Sequence, residues 1–88
     1  MAYVYILKSL KNNRYYIGST GNINQRILTH QSGCVKATRN LLPVQIVFQQ
    51  EYSDITMARK IERRLKQLKR RDYIEKIIKD GRIRISGG

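Results

Sequence analysis

The sequence predicts an α+β fold in which a small three-stranded, mainly antiparallel sheet is flanked by helices in the order β-β-α-β-α-α. Residues 2–8, 15–20 and 44–52 are rich in β-branched and aromatic side chains, as strands are. Between and after these runs, apolar residues recur with the period of helices. The 88 residues are enough for one domain, and we expect its core over about 2–80 and a tail over 81–88.

The first two strands form a predicted hairpin. The turn that joins them contains Asn12 and Asn13, either of which can adopt positive φ. Because side chains alternate along a strand, Tyr16 and Gly18 share one face of the second strand. Gly18 has no side chain to pack, so we expect another group to approach the backbone there. Tyr5, on the first strand, is by default a core aromatic.

A helix is predicted to begin at Asn22, with Gln25 three residues later as in a capping box, and to end near Gly33. Arg26 and His30 lie four residues apart on one face of this helix. An arginine can hold a phosphate by two hydrogen bonds, and a histidine can move a proton near neutral pH. The alternative is that both are ordinary surface residues.

A loop is predicted over residues 33–43, with Lys36 and Arg39 as its cations, and it leads into the third strand. Cys34, also in this loop, is the single cysteine of the chain. A single cysteine excludes an internal disulfide and a cysteine-based zinc cage, and it suits a reducing interior. We expect Cys34 to be half-buried as a small apolar residue.

A long helix is predicted over about 54–69, with Asp54 as part of its cap. Its buried stripe is predicted to contain Ile55, Ala58, Ile61, Leu65 and Leu68. Glu62 lies about 40° from Ala58 around the helix, inside this stripe. A carboxylate there needs a partner, because burying an unpaired charge is costly. Two partners remain open, a salt bridge to an arginine or a hard divalent cation such as Mg²⁺.

A basic stripe lies beside the apolar one on the same helix. It contains Arg59, Arg63, Lys66 and Arg70. No acidic residue interrupts this row, which suits a track for the phosphates of a nucleic acid. The alternative is a solvated charged face.

A short final helix is predicted over residues 73–80, with Asp72 as its cap and Gly81 at its end. Its inward side chains are predicted to be Ile74, Ile77 and Ile78. Beyond it, residues 82–88 alternate weakly, which is typical of a frayed tail or a short added strand.

The charge of the chain is strongly positive. Eighteen Lys and Arg residues oppose six Asp and Glu residues, for a net charge of +12. Such an excess favours a polyanion as partner, and nucleic acid more than an anionic membrane surface or a simple solubility role. No apolar run approaches the roughly 18 residues of a membrane span, and Met1 runs almost directly into a strand, without room for a signal peptide. We therefore expect a cytoplasmic protein with access to the nucleoid.

Two strand motifs resemble those of the GIY-YIG nuclease family. They read Tyr3-Val4-Tyr5, which lacks the family's leading glycine, and Tyr16-Ile17-Gly18, which matches fully. The arginine, histidine and long-helix glutamate of the family correspond to Arg26, His30 and Glu62. The resemblance covers roughly residues 2 to 80 and is strongest to the short, stand-alone, single-domain bacterial members.

The resemblance implies metal-dependent hydrolysis of phosphodiester bonds in DNA, directed by structure more than by sequence, in repair or recombination. Tyr16 would activate the attacking water, and Tyr5 and His30 would assist proton movement or hold the water and phosphate. Arg26 would neutralise the phosphate as charge builds. Glu62 would be the protein ligand of a single Mg²⁺ or Mn²⁺ ion.

The sequence departs from the family pattern at Ser19, where the excision-repair members carry a lysine. The role of that lysine would be lost or moved to Lys36 or Lys69. The first motif places Tyr3 beside the site. Contacts to nucleic acid are expected from Lys36, Arg39, Arg59, Arg63, Lys66, Lys69 and Arg70.

Two other functions remain open. One is a nucleic-acid-binding module with the same fold and little or no catalysis, and the other is a structural or protein-binding domain. A monomer is assumed.

Overall fold

The computed structural model describes residues 1–68 and 70–83, apart from the side chain of Ala37. The predicted fold class and order of elements are confirmed. The elements are β1 (Ala2–Ser9), β2 (Tyr15–Thr20), α1 (Ile23–Gln31), α2 (Lys36–Arg39), β3 (Val44–Tyr52), α3 (Ile55–Leu68) and α4 (Arg71–Asp80). The one-turn helix α2 was not predicted and lies within the predicted loop. Lys69 and the predicted tail from residue 84 onward lie outside the described residues.

The sheet has the order β2-β1-β3, and both pairs of strands are antiparallel. β1 is the central strand, and its residues Val4, Tyr5 and Ile6 are fully buried because they are covered on both faces. Asn13 in the β1–β2 turn has a φ of 62°, as the sequence predicts for one of the two asparagines. β2 is an edge strand, so one row of its backbone N–H and C=O groups has no partner within the sheet.

Each face of the sheet has its own apolar cluster. Val4 and Ile6 of β1 pack with Ile61 and Leu65 of α3 on one face. Tyr5 and Leu7 of β1 pack with Ile23 of α1 on the other face. The molecule is therefore layered, with α1 on one side of the sheet and α3 with α4 on the other.

α3 is the longest helix, and the Asp54 carboxylate caps it by accepting from the Met57 backbone N–H at 2.8 Å. The predicted stripe is confirmed for its three buried members, Ala58, Ile61 and Leu65. Leu68 was wrongly predicted to be buried; it is 40% exposed, because it is the last residue of the helix and the stripe ends before it. No helix in the described ranges is long and apolar enough to cross a membrane.

Three residues were predicted to cap or end the helices α1 and α4. Asn22 caps α1 by accepting from the backbone N–H of Gln25 at 3.1 Å, as predicted. Gly81 ends α4 with a φ of 77°, also as predicted. Asp72 is not the cap of α4: the helix begins one residue before it, at Arg71. Asp72 lies in the first turn, where its charge favours the helix dipole.

Gly18 of β2 lies opposite Tyr5 of β1 in the antiparallel pair. A Cβ atom at Gly18 would overlap the phenol ring of Tyr5. The group that was expected to approach the backbone at Gly18 is therefore the phenol ring of Tyr5. Glycine lets this ring lie against β2 while it remains fully buried.

Replacing Gly18 with Ala should destabilise the fold by about 1–3 kcal/mol, because the added methyl group has no room beside Tyr5. Gly21→Ala is the matched control, since a Cβ there meets no atom within 4 Å. Urea unfolding followed by circular dichroism measures both variants. Equal midpoints for the two would contradict the packing described here.

Candidate active site

Four of the predicted site residues meet on the α1 face of the sheet. The Tyr5 hydroxyl lies 2.8 Å from Nε2 of His30 and accepts a hydrogen bond from Nε of Arg26 at 3.3 Å. The Tyr16 ring meets the His30 ring edge-on, with 5.2 Å between their centroids. Strand alternation and the four-residue spacing on α1 bring these side chains together.

His30 is fully buried between two partners. Its Nε2 atom contacts Tyr5, and its Nδ1 atom lies 2.8 Å from the hydroxyl of Thr38. Thr38 is itself fully buried, on the one-turn helix α2. Sequence reasoning missed Thr38, because a single helical turn is too short to show a period in the sequence.

The buried cluster is held in a defined charge state. Burial lowers the pKa of His30, and the positive charge of Arg26 lowers it further, so the imidazole is neutral at neutral pH. Burial also raises the pKa of the Tyr5 phenol, and the hydrogen bond and charge of Arg26 offset only part of this rise. Tyr5 is therefore a protonated phenol, and Arg26 carries the single full charge of the three.

Glu62 lies on the other side of β2, half-buried on α3. One of its carboxylate oxygens accepts a short hydrogen bond from the Ser19 hydroxyl, and the other lies 2.6 Å from Nζ of Lys66. The salt-bridge alternative is thus realised, but with a lysine and not with an arginine. The same Nζ atom lies 5.5 Å from the centroid of the Tyr16 ring, so Lys66 links Glu62 to the tyrosine cluster around the edge of the sheet.

An open groove of about 550 Å³ runs beside Glu62. It is lined by Ser19, Arg59, Glu62, Arg63, Lys66 and Gln67. Three of the predicted nucleic-acid contacts, Arg59, Arg63 and Lys66, therefore share one surface with the predicted metal ligand. This arrangement favours binding of the phosphate backbone of a nucleic acid, because cations line the groove beside one acidic group.

Three other predicted contacts, Lys36, Arg39 and Arg70, lie outside this groove. Arg70 pairs with Asp72 at 2.9 Å, so its charge is partly neutralised. Lys36 and Arg39 are exposed on α2, and Nε of Arg39 donates to the Gly33 carbonyl at 2.9 Å. Lys69 lies outside the described residues.

Two further side chains that the sequence singled out are Cys34 and Tyr3, of which Tyr3 lies in the same apolar cluster as Tyr5 and Tyr16. Cys34 is exposed, and not half-buried as expected, because it follows the end of α1 in an open loop. Tyr3 packs in the cluster on the α1 face, and its hydroxyl donates to Glu51 at 3.4 Å.

The donor set at Glu62 is small. Among the described residues, no three His, Cys, Asp or Glu side chains are close enough to hold a metal together. Glu62 and the Ser19 hydroxyl face an open, polar groove. Such a site fits a hard cation that keeps most of its water ligands, as Mg²⁺ does, and does not fit a fully enclosed ion.

The structure thus combines a buried cluster in which only Arg26 is charged, one carboxylate in the groove and a row of cations on α3. Such a combination suits the binding of phosphate esters. Residues 1–77 match the family described as the GIY-YIG catalytic domain. Because this match spans most of the chain, the chain belongs to the GIY-YIG nuclease family.

Similar proteins are found in several bacteria. A UPF0213 protein of Staphylococcus haemolyticus is 37% identical over 76 residues, which is 85% of this chain and 92% of the relative. One of Clostridium perfringens is 37% identical over 78 residues, or 88% and 83% of the two chains. One of Bacillus licheniformis is 35% identical over 83 residues, or 90% and 84%. No solved structure matches this chain.

Stability should fall as the pH decreases below about 6.5, the pKa of an unperturbed histidine. His30 has a lowered pKa in the folded state, so the unfolded chain binds a proton that the folded protein excludes. The loss continues down to the folded pKa of His30 and then levels off. Urea unfolding between pH 8 and 5 measures it.

His30 is the only histidine, so His30→Asn should flatten the slope between pH 6.5 and 5. An NMR titration of the wild-type ring gives the folded pKa directly, whether or not the variant folds. A folded pKa at or above 6.5 would contradict the burial of a neutral imidazole.

Proposed function

We propose that this protein is a metal-dependent endonuclease that hydrolyses phosphodiester bonds in DNA. The observation that carries the proposal is that Tyr16, Arg26 and Glu62 flank one edge strand, near enough for the charges of Tyr16 and Glu62 to act on Arg26, while Glu62 also lines a basic groove. The groove offers charges for phosphates, which supports recognition of DNA structure more than of base sequence. DNA repair or recombination, in which unusual structures arise, is the context we propose.

Tyr16 is the group that activates the attacking water in this proposal. Tyr5 is a poorer base, because burial raises its pKa and its hydroxyl is already engaged by His30 and Arg26. His30 is fully buried with both nitrogens engaged, so it has no direct route to a water. Tyr16 is half-buried at the edge strand, and no hydrogen bond to another described residue engages its hydroxyl.

Arg26 is the group that binds the reacting phosphate. Its Nε–H donates to Tyr5, which fixes the guanidinium and leaves its terminal N–H groups for phosphate oxygens. A fixed cation stabilises the charge that develops on the phosphate as the water attacks. Tyr5 and His30 hold this arginine in place.

Glu62 is the protein ligand for a single Mg²⁺ or Mn²⁺ ion, with Ser19 beside it. Such an ion, when bound, polarises the phosphate and stabilises the leaving oxygen. Lys66 pairs with one oxygen of the same carboxylate at 2.6 Å, so a bound ion would share Glu62 with this lysine. Its ammonium lies 5.5 Å from the centroid of the Tyr16 ring, beside the group that we propose activates the water.

We propose a monomer as the active unit, since the side chains of Tyr5, Tyr16, Arg26 and His30 assemble within one chain. Arg59, Arg63 and Lys66 hold the DNA along the groove. The net charge of +12 suits a polyanionic partner and supports a site of action in the cytoplasm, at the nucleoid.

The protein should nick or cut DNA in the presence of Mg²⁺ or Mn²⁺ and lose this activity in EDTA. Tyr16→Phe, Arg26→Gln and Glu62→Gln should each lower the cleavage rate by roughly 100-fold or more, since each removes a group that we propose acts on the reacting water, the phosphate or the metal ion. Plasmid, single-stranded and branched DNA, with duplex RNA for comparison, are the substrates in a gel assay.

Tyr15→Phe and Glu75→Gln are matched controls for the tyrosine and glutamate variants. Tyr15 packs on the opposite face of the sheet from Tyr16, and Glu75 is exposed on α4. Both should retain wild-type rates. Cleavage that survives Tyr16→Phe and Glu62→Gln would show contamination or another site, and salt-sensitive binding without any cleavage would favour the binding-module alternative.

Neutralising Arg59 or Arg63 should weaken DNA binding and reduce its dependence on salt. Each phosphate contact that is lost should lower the slope of log affinity against log salt by about 1. Arg64→Gln is the control, because Arg64 is exposed on the same helix but does not line the groove. Fluorescence anisotropy in EDTA separates binding from cleavage, and equal slopes for all three variants would exclude the groove as the binding surface.

A further inference from the structure

A chain of hydrogen bonds crosses the α1 side of the molecule from Arg26 to the backbone of α2. It runs from Nε of Arg26 to the Tyr5 hydroxyl, then to His30, then to Thr38. The Thr38 hydroxyl continues it by donating to the Val35 carbonyl at 3.5 Å. Tyr5, His30 and Thr38, the three central side chains of this hydrogen-bond network, are fully buried, so each of their polar protons needs an acceptor inside the protein.

The direction of these bonds follows from what each group can do. Arginine has only donors, so the Tyr5 oxygen accepts from Arg26. The Tyr5 proton must then go to Nε2 of His30, since among the described residues Tyr5 has no other acceptor. A neutral imidazole that accepts at Nε2 carries its proton on Nδ1, and that proton goes to Thr38.

The opposite tautomer leaves one buried proton without an acceptor. With the His30 proton on Nε2, both His30 and Arg26 would donate to the Tyr5 oxygen. The Tyr5 proton would then have no partner within the described part of the chain, which is costly in a buried place. Thr38 would also have to turn its own proton from the Val35 carbonyl to Nδ1.

Thr38 is well placed to select one tautomer. Its backbone N–H donates to Val35 at 3.1 Å, and its carbonyl accepts from the Leu41 N–H at 2.9 Å. The hydroxyl therefore projects from a backbone that is anchored on both sides. α2, which the sequence presented as part of a loop, thus holds one end of the network that reaches the proposed phosphate-binding arginine.

We propose that Thr38 is a positioning residue of the nuclease reaction, which holds His30 in the Nδ1–H tautomer and thereby fixes Tyr5 and Arg26 in their reactive arrangement. The role in catalysis rests on the proposed function. The role in selecting the tautomer does not, and it can be measured in the protein without any substrate.

The first test is the ¹⁵N NMR spectrum of the intact protein labelled at histidine, at pH 8, where His30 is neutral. Because the chain has a single histidine, its two ring nitrogens are assigned without ambiguity. We expect a protonated Nδ1 and an unprotonated Nε2. A protonated Nε2 would overturn the proposal, whatever the protein does to DNA.

The second test compares Thr38→Val, which keeps the shape and removes the acceptor, with Thr38→Ser, which keeps the hydroxyl. Thr38→Val should shift His30 toward the Nε2–H form and lower kcat by roughly 10-fold or more, as loss of a hydrogen-bond partner that orients a functional side chain does, with KM for DNA little changed. Thr38→Ser should stay within about 3-fold of wild type.

A Thr38→Val protein that keeps the Nδ1–H tautomer and the wild-type kcat would overturn the proposal, as would a Thr38→Ser protein with a changed tautomer. If Thr38→Val does not fold, the spectra of the wild type and Thr38→Ser decide the question. A wild-type protein that shows the expected tautomer but cuts no DNA would refute the proposed function and leave the tautomer assignment standing.

Discussion

The buried Tyr5 phenol is the constraint on which the site depends. Its ring needs the space that Gly18 leaves on β2, and its hydroxyl needs His30 and Arg26 on α1. The central strand, the edge strand and the first helix are thus tied to one side chain. A change in any of these contacts would move the arginine that we propose binds phosphate. The packing of the core therefore also sets the position of the site residues.

β2 divides the site into two chemically different halves. On the α1 face, Tyr5 and His30 are buried and uncharged at neutral pH, and they position Arg26. On the α3 face, Glu62 and Lys66 form a partly exposed ion pair of modest strength. The electrostatic effect of one half on the other is small: burial is the main cause of the raised pKa of Tyr5, and the charge of Glu62 adds the least to it.

Local patterns in the sequence predicted the parts of the fold that depend on local rules. Strand alternation separated the faces of β1, and the helical period identified Glu62 beside the buried stripe of α3. Asp72 was misassigned because an aspartate is favourable both as an N-cap and within the first turn of a helix. The sequence does not show which of the two positions it takes, since the exact start of a helix depends on tertiary packing. Thr38 and the ion pair of Lys66 with Glu62 were missed because they depend on loop geometry and rotamers, which leave no period in the sequence.

The division across β2 also explains why the proposed base lies where the two halves meet. A phenol buried as deeply as Tyr5 keeps its proton, because burial raises its pKa. Tyr16 shares the His30 contact but is half-buried, and Lys66 lies over its ring. We therefore propose that Tyr5 holds the Arg26 cation and that Tyr16 acts on water, although both are aromatic residues on adjacent strands. Their different depths in the sheet, more than their chemistry, separate the two roles.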